Sequence, residues 1–174
     1  MPLYPATDTD LDAVAALVNS AYRGESSRAG WTTEADYLDG QRTDAAILRR
    51  DLAAQPDAAL LMFKDAPDAP LLGTVWLEPA EPGVWYLGML TIRPDQQDRK
   101  LGRTLLEGGE AFAAAKGARR IRMTVVSIRD TLIAWYERRG YAETGETRPF
   151  PYDNDQIGQP RVPDLSFIVM EKAL

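Results

Sequence analysis

The stretch from Trp85 to Leu106 constrains the fold more than any other part of the chain. Trp85-Tyr86-Leu87-Gly88-Met89-Leu90-Thr91-Ile92 is an apolar run of strand length, and Arg93-Pro94-Asp95-Gln96 breaks it. Gln97-Asp98-Arg99-Lys100-Leu101-Gly102-Arg103 then opens an amphipathic helix through Thr104, Leu105 and Leu106. A buried strand that turns into a helix needs a sheet with helices laid against it, so the fold class is α/β or α+β.

The rest of the chain alternates in the same way. Asp8-Thr9-Asp10 caps a run in which Leu11, Val14, Leu17, Val18 and Ala21 recur at helical spacing, predicting a first helix to about Tyr22. Thr43-Asp44 caps a second helix through Ile47, Leu48 and Leu52, closed by Gln55-Pro56. Between them, residues 23–40 are polar and glycine-punctuated yet carry Trp31 and Tyr37, which predicts a second short helix and a lid that contacts something. Strands follow at 58–64, 71–78 and 84–92 as an antiparallel meander. A helix over 101–116 ends at Gly117, a strand covers 120–126, and a helix from Asp130 to about Arg138 ends at Gly140. Two further extended stretches close the chain, the last at 165–172. With 174 residues, no internal repeat and no long linker, a single domain over 1–174 is expected.

Composition excludes whole classes of chemistry. The chain has no histidine and no cysteine, so it has no Ser-His-Asp triad, Cys-His pair, thiolate site or disulfide. Proton transfer falls to carboxylates, tyrosine, lysine, a terminus or water. The absence of cysteine fits a reducing, cytoplasmic setting, and no leader or membrane-length apolar run is visible. A net charge of −6 argues against nucleic-acid or anionic-membrane partners.

A strand-to-helix turn gathers orphan backbone N–H groups and the positive end of the helix dipole, which together bind anions. Arg99, Lys100 and Arg103 add positive charge there, although spacing alone favours a merely basic first turn. Gly88 inside the apolar strand marks a bulge or a close approach of a ligand. Farther on, Tyr136-Glu137-Arg138-Arg139-Gly140-Tyr141 closes a short helix with a glycine and an aromatic.

These two segments together resemble the GNAT superfamily of N-acetyltransferases. The family's Q/R-x-x-G-x-G/A signature is matched by Gln97 and Gly102, and its "YEKLGF" segment by residues 136–141. The resemblance implies a mixed, mostly antiparallel, splayed sheet of about six to seven strands flanked by about four helices. It implies acetyl-CoA as co-substrate, no metal, and transfer of an acetyl group to a primary amine of a small molecule or peptide in a ternary complex. A homodimer is a further implication. Leu90, Thr91 and Ile92 would pair with the pantetheine arm, and an N–H at Leu90 or Thr91 would polarise the thioester carbonyl. Gln97, Asp98, Arg99, Lys100, Leu101, Gly102, Arg103 and Thr104 would hold the diphosphate. Arg129 stands where many relatives carry an asparagine that orients the pantetheine, a contact the substitution puts in question, while an arginine there could still reach a phosphate of the cofactor.

Tyr136 matches the tyrosine that many relatives use to protonate the departing thiolate; an amphipathic core position is its alternative. Tyr22, Glu25, Trp31 and Glu34 are expected in the acceptor site. The general base stays open among Glu78, Glu25, Glu34, Asp153, Asp155 and a water chain. Acidic groups with aromatic faces suit a cationic amine, whereas Arg23, Arg28, Arg148 and Arg161 suit an acceptor with a carboxylate. Lys100 replaces the signature's first glycine, Asp98 adds negative charge, and no carboxylate lies on the strand before the loop. These departures define the alternative function: a CoA-binding or interaction domain that keeps the fold with weak or no catalysis.

Overall fold

Apolar runs that cannot be solvated pair edge to edge, and their pairing fixes the architecture. The computed structural model describes residues 2–174, with the side chains of Asp98 and Asp155 outside the described residues. In chain order the elements are β1 (Leu3–Pro5), α1 (Leu11–Tyr22), β2 (Leu38–Asp39), α2 (Ala45–Ala54), β3 (Ala59–Phe63), β4 (Gly73–Glu81), β5 (Val84–Ile92), α3 (Leu101–Ala115), β6 (Arg120–Val126), α4 (Asp130–Glu137), β7 (Ala142–Pro149), β8 (Gln159–Pro160) and β9 (Ser166–Ala173). Seven strands form one sheet in the order β1-β3-β4-β5-β6-β9-β7, while β2 and β8 pair separately. Every pairing in the large sheet is antiparallel except β5 with β6.

Strand alternation sends side chains to two apolar layers. Leu61 and Phe63 of β3 and Val75 and Leu77 of β4 face α3 and α4, where Leu105, Leu106, Ile133 and Tyr136 close the layer. Leu60, Met62 and Trp76 face the other way, against Leu11, Val14, Val18 and Leu48 of α1 and α2. The helices start where capping chemistry allows. Thr7 donates to Asp10 Oδ2 through its backbone N (2.8 Å) and its hydroxyl (2.7 Å), one residue before the expected cap, and Asp44 accepts from Ile47 N at 2.8 Å.

Two boundaries differ from the sequence expectation for physical reasons. The three-residue β1 is too short to show a period. Strand β4 runs through Pro79 and Ala80 to Glu81 where a turn was expected. Its pairing with β3 ends at Leu77, so beyond that point Pro79 lies where β4 has no β3 ladder for its missing N–H to interrupt.

The sheet splits at its one parallel pair. Strands β5 and β6 pair only at Val84–Arg120, Trp85–Ile121 and Tyr86–Arg122. Beyond Tyr86, β5 follows β4 and β6 follows β9, so a wedge opens between the two halves. A bulge causes it. Trp76 faces Gly88 and Thr74 faces Thr91, which leaves Met89 and Leu90 opposite the single residue Val75, with Met89 at φ 47°. Gly88 itself is not left-handed. It is glycine because a Cβ there would stand 2.7 Å from the Tyr86 ring.

Candidate active site

Two chambers occupy the wedge, with empty volumes of about 570 and about 1050 Å³. Tyr22, Leu90, Arg129, Leu132 and Tyr136 border both, so the chambers form one cleft that meets at these side chains. At the end of helix α1 Tyr22 reaches across to β5, its hydroxyl donating to Leu90 O at 2.6 Å. Burial pushes the Tyr22 phenol up, with Thr91, Arg129 and Arg42 pulling it back and Glu34 adding to the rise.

The outer chamber is built on the start of α3. Lys100 is its N-cap and lies at φ 61°, ψ 8°, the left-handed conformation that the glycine of the signature would adopt without strain. The first helical turn leaves N–H groups at Leu101 and Gly102 without an intrahelical acceptor. Lys100, Gly102, Arg103, Arg129 and Arg139 border this chamber, and no carboxylate among the described residues does. Arg139 stacks over Trp135, its guanidinium 3.5 Å from the ring centroid, and donates from Nη1 to Trp135 O at 2.6 Å. Its Nε is buried without a partner among the described residues. Burial, with Arg138 and Arg103 nearby, pulls the Arg139 guanidinium below its ordinary range. A positive cluster with an unmatched buried donor beside a helix N-terminus fits a diphosphate.

Trp31 and Gln97 roof this chamber. Gln97 accepts from Trp31 N at 2.9 Å and donates to Thr32 Oγ1 at 2.7 Å and Ile92 O at 3.2 Å. Its side chain therefore clamps the lid to the strand and is not presented to an anion. Trp31 packs 6.2 Å from Trp135, centroid to centroid, on the diphosphate side of the cleft. Arg129 lines both chambers, but its Nη1 donates to Glu34 Oε1 at 3.1 Å and its Nη2 to Thr32 O at 2.9 Å. It holds the lid rather than extending toward the α3 N-terminus.

The inner chamber is bordered by Arg23, Glu34, Arg42 and Arg129 together with Tyr86, Phe150 and Phe167. Glu34 is 8% exposed and bracketed: one oxygen meets Arg129 and the other Arg23. Tyr136 is 6% exposed, and its hydroxyl has no hydrogen-bond partner among the described residues while bordering both chambers. Burial pushes its phenol far up, so it stays protonated at any ordinary pH.

Other expected site residues lie elsewhere. Glu25 is exposed and pairs with Arg28 at 3.1 Å, and Asp153 is exposed, bordering neither chamber. Glu78 accepts from Trp76 Nε1 at 2.9 Å outside the cleft. Arg99 donates to Gln96 Oε1 at 2.8 Å, and Thr104 is exposed beyond the chamber. Thr91 is buried, its hydroxyl donating to Met89 O at 3.0 Å. Leu101 packs into the core. The candidate base Asp155 and the side chain of Asp98 lie outside the described residues. Met89, Trp135, Arg139 and Arg42 carry the geometry without having been singled out in the sequence. Of these, Trp135 and Arg139 share an i, i+4 spacing that could have marked them as a stacked pair.

Comparison with solved structures finds the same architecture. A protein described as a putative phosphinothricin N-acetyltransferase superposes with a TM-score of 0.71 at 17% identity, covering 99% of this chain and 98% of its own. Ribosomal-protein-alanine N-acetyltransferase from Brucella melitensis gives 0.69 at 21% identity over 100% of both chains. A GNAT family acetyltransferase from Elizabethkingia anophelis with acetyl-CoA bound gives 0.58 at 14% identity, covering 73% of this chain and 82% of its own. A search of curated proteins found no match. The model of the Acetyltransferase (GNAT) family matches residues 14–141, well over half of the sequence. The splayed sheet, the bulge at Met89 and the basic turn into α3 are therefore those of a chain that belongs to the GNAT acetyltransferase family.

Proposed function

We propose that this protein, as one domain over 1–174, moves an acetyl group from acetyl-CoA directly to a primary amine within a ternary complex. The observation that carries this reading is the meeting of the two chambers at Leu90 and Tyr136, one floored by a basic helix N-terminus and the other able to hold a small acceptor. Acetyl-CoA would supply the activated thioester.

In this reading the first-turn N–H groups of α3, with Lys100, Arg103 and Arg139, neutralise the diphosphate. Strand β6 does not pair with β5 at Leu90 and Ile92, and this edge receives the pantetheine arm through its N–H groups as an added strand would, since Tyr22 and Gln97 already occupy the Leu90 and Ile92 carbonyls. The bulge leaves one N–H of the Met89–Leu90 pair without a β4 partner, and that donor stabilises negative charge on the thioester oxygen during attack. Tyr136 gives its proton to the leaving sulfur, for which a neutral phenol with an uncommitted hydroxyl is suited. Glu34 acts as a charge partner because both its oxygens are engaged by arginines. Before attack the acceptor ammonium loses one proton to solvent through a water chain in place of a side-chain base; after attack a second N–H proton leaves the same way, and Tyr136, having protonated the sulfur, regains a proton from solvent.

Thermal shift with acetyl-CoA, CoA and ATP, joined to thiol release across a panel of amines, tests this. Both CoA forms are expected to raise the melting temperature through mass action, and at least one amine is expected to release stoichiometric thiol. No shift with either CoA form rejects the proposal.

A further inference from the structure

We infer that the acceptor carries an anionic group, a carboxylate or phosphonate on the same small molecule as the amine, and that Arg42 receives it; this rests on the acetyl-transfer reading above. Among the described residues, three arginines and one glutamate border the inner chamber, a formal excess of two positive charges. Arg23 and Arg129 share Glu34 between them. Arg42 has no carboxylate partner and no hydrogen bond to its guanidinium among the described residues, although it is half-buried in an acidic protein. Arg99, Arg119, Arg138 and Arg139 also lack an ion pair among the described residues, but of these unpaired arginines only Arg42 borders the inner chamber.

The Arg42 backbone is held in place. Asn19 of α1 accepts from Arg42 N at 2.6 Å and from Thr43 N at 3.3 Å, and donates to Thr43 O at 2.8 Å. Arg42 also borders a groove between α2 and β5 that shares Tyr86, Gly88 and Met89 with the inner chamber and carries Asp51 and Glu78 on its walls. Arg42 borders the inner chamber together with Tyr22, Leu90 and Tyr136. A guanidinium is the group best shaped for a carboxylate or phosphonate. The same positive field disfavours an ammonium relative to a neutral amine, which supplies the nucleophile in a site that has no free base. A polyamine or other polycation meets that field unfavourably.

The test measures acetyl transfer to matched series: α- and β-amino acids and aminophosphonates, each against its carboxamide or its amine lacking the acid, with wild type, R42K and R42Q. We expect the acid to exceed its amide at least tenfold in kcat/KM, R42Q to collapse that ratio to about one, and R42K to keep part of it. The KM for acetyl-CoA, which Arg42 does not contact in this reading, separates a specificity defect from a folding defect. Transfer confined to uncharged or cationic amines, an acid-to-amide ratio unmoved by R42Q, or acetyl-CoA binding without turnover of any acid overturns this inference alone. No shift with acetyl-CoA and no thiol release from any amine overturns the acetyl-transfer reading together with it.

Discussion

Lys100 shows how one side chain sets local strain against charge. At φ 61° its Cβ is crowded, and a left-handed residue other than glycine carries roughly 1 kcal/mol of strain. Lys100→Gly removes that strain and the charge together, whereas Lys100→Ala removes the charge alone. The glycine variant is expected to melt about 2–4 °C above the alanine variant, and both should bind CoA more weakly than wild type. Equal melting temperatures for the two variants would show that the turn tolerates the conformation without cost. Tyr136 is the complementary case, since its hydroxyl supports nothing in the fold among the described residues. Tyr136→Phe is expected to lower kcat about a hundredfold, in the usual range for a lost general acid, while leaving acetyl-CoA affinity within about twofold. Undiminished turnover would leave Tyr136 as a packing residue against Trp135 and Tyr141.

At the scale of elements, the lid over residues 23–37 is tied down by three polar side chains from outside it, Gln97, Arg129 and Arg161. Gly30 completes the clamp, because a Cβ there would stand 2.5 Å from Gln97 Oε1. Gln97→Ala removes three hydrogen bonds of about 1 kcal/mol each, so amide exchange over 30–33 is expected to accelerate at least tenfold while α3 and the sheet keep their protection. Uniform exchange across the chain would place the lid in the global folding unit instead. How much of this could be read in the sequence follows from the range of each signal. The turn from β5 into α3 and the helix ending at Gly140 are local patterns, and both fell within a residue or two of the expected bounds. The bulge was not local. Gly88 pointed to it, yet its glycine answers to the Tyr86 ring and the left-handed residue is Met89. Arg42 sits in a polar loop with no pattern of its own, and only its tie to Asn19, twenty-three residues earlier, brings it to the cleft. Glu34 read as a possible base until its two arginine partners, one of them ninety-five residues away, were in place.

The whole molecule lacks histidine, and that absence makes its pH dependence unusually simple to argue. No side chain has an ordinary pKa between about 5 and 8, so folding stability should be nearly flat from about pH 6 to pH 9. Below that window the paired carboxylates Asp8, Asp10, Glu81 and Asp95, all held under their ordinary values by hydrogen bonds and nearby arginine, lysine or threonine groups, lose their advantage as they protonate, so stability falls with pH. Above it the buried Tyr37, Tyr136 and Tyr141 resist ionisation in the native state, while the unfolded chain ionises freely beyond about pH 10. The folded state then binds more protons than the unfolded, and stability drops again. The same reasoning fixes the pH profile of the reaction. With Tyr136 protonated throughout and Glu34 committed to arginines, the rising limb of kcat/KM should belong to the acceptor and should move when the amine is replaced by one of different basicity. Two acceptors whose amine pKa values differ by about one unit are expected to give limbs displaced by about one unit. A limb fixed at one pH for both acceptors would mean that a group on the protein takes the proton, and the search for that base would reopen at the carboxylates nearest the inner chamber.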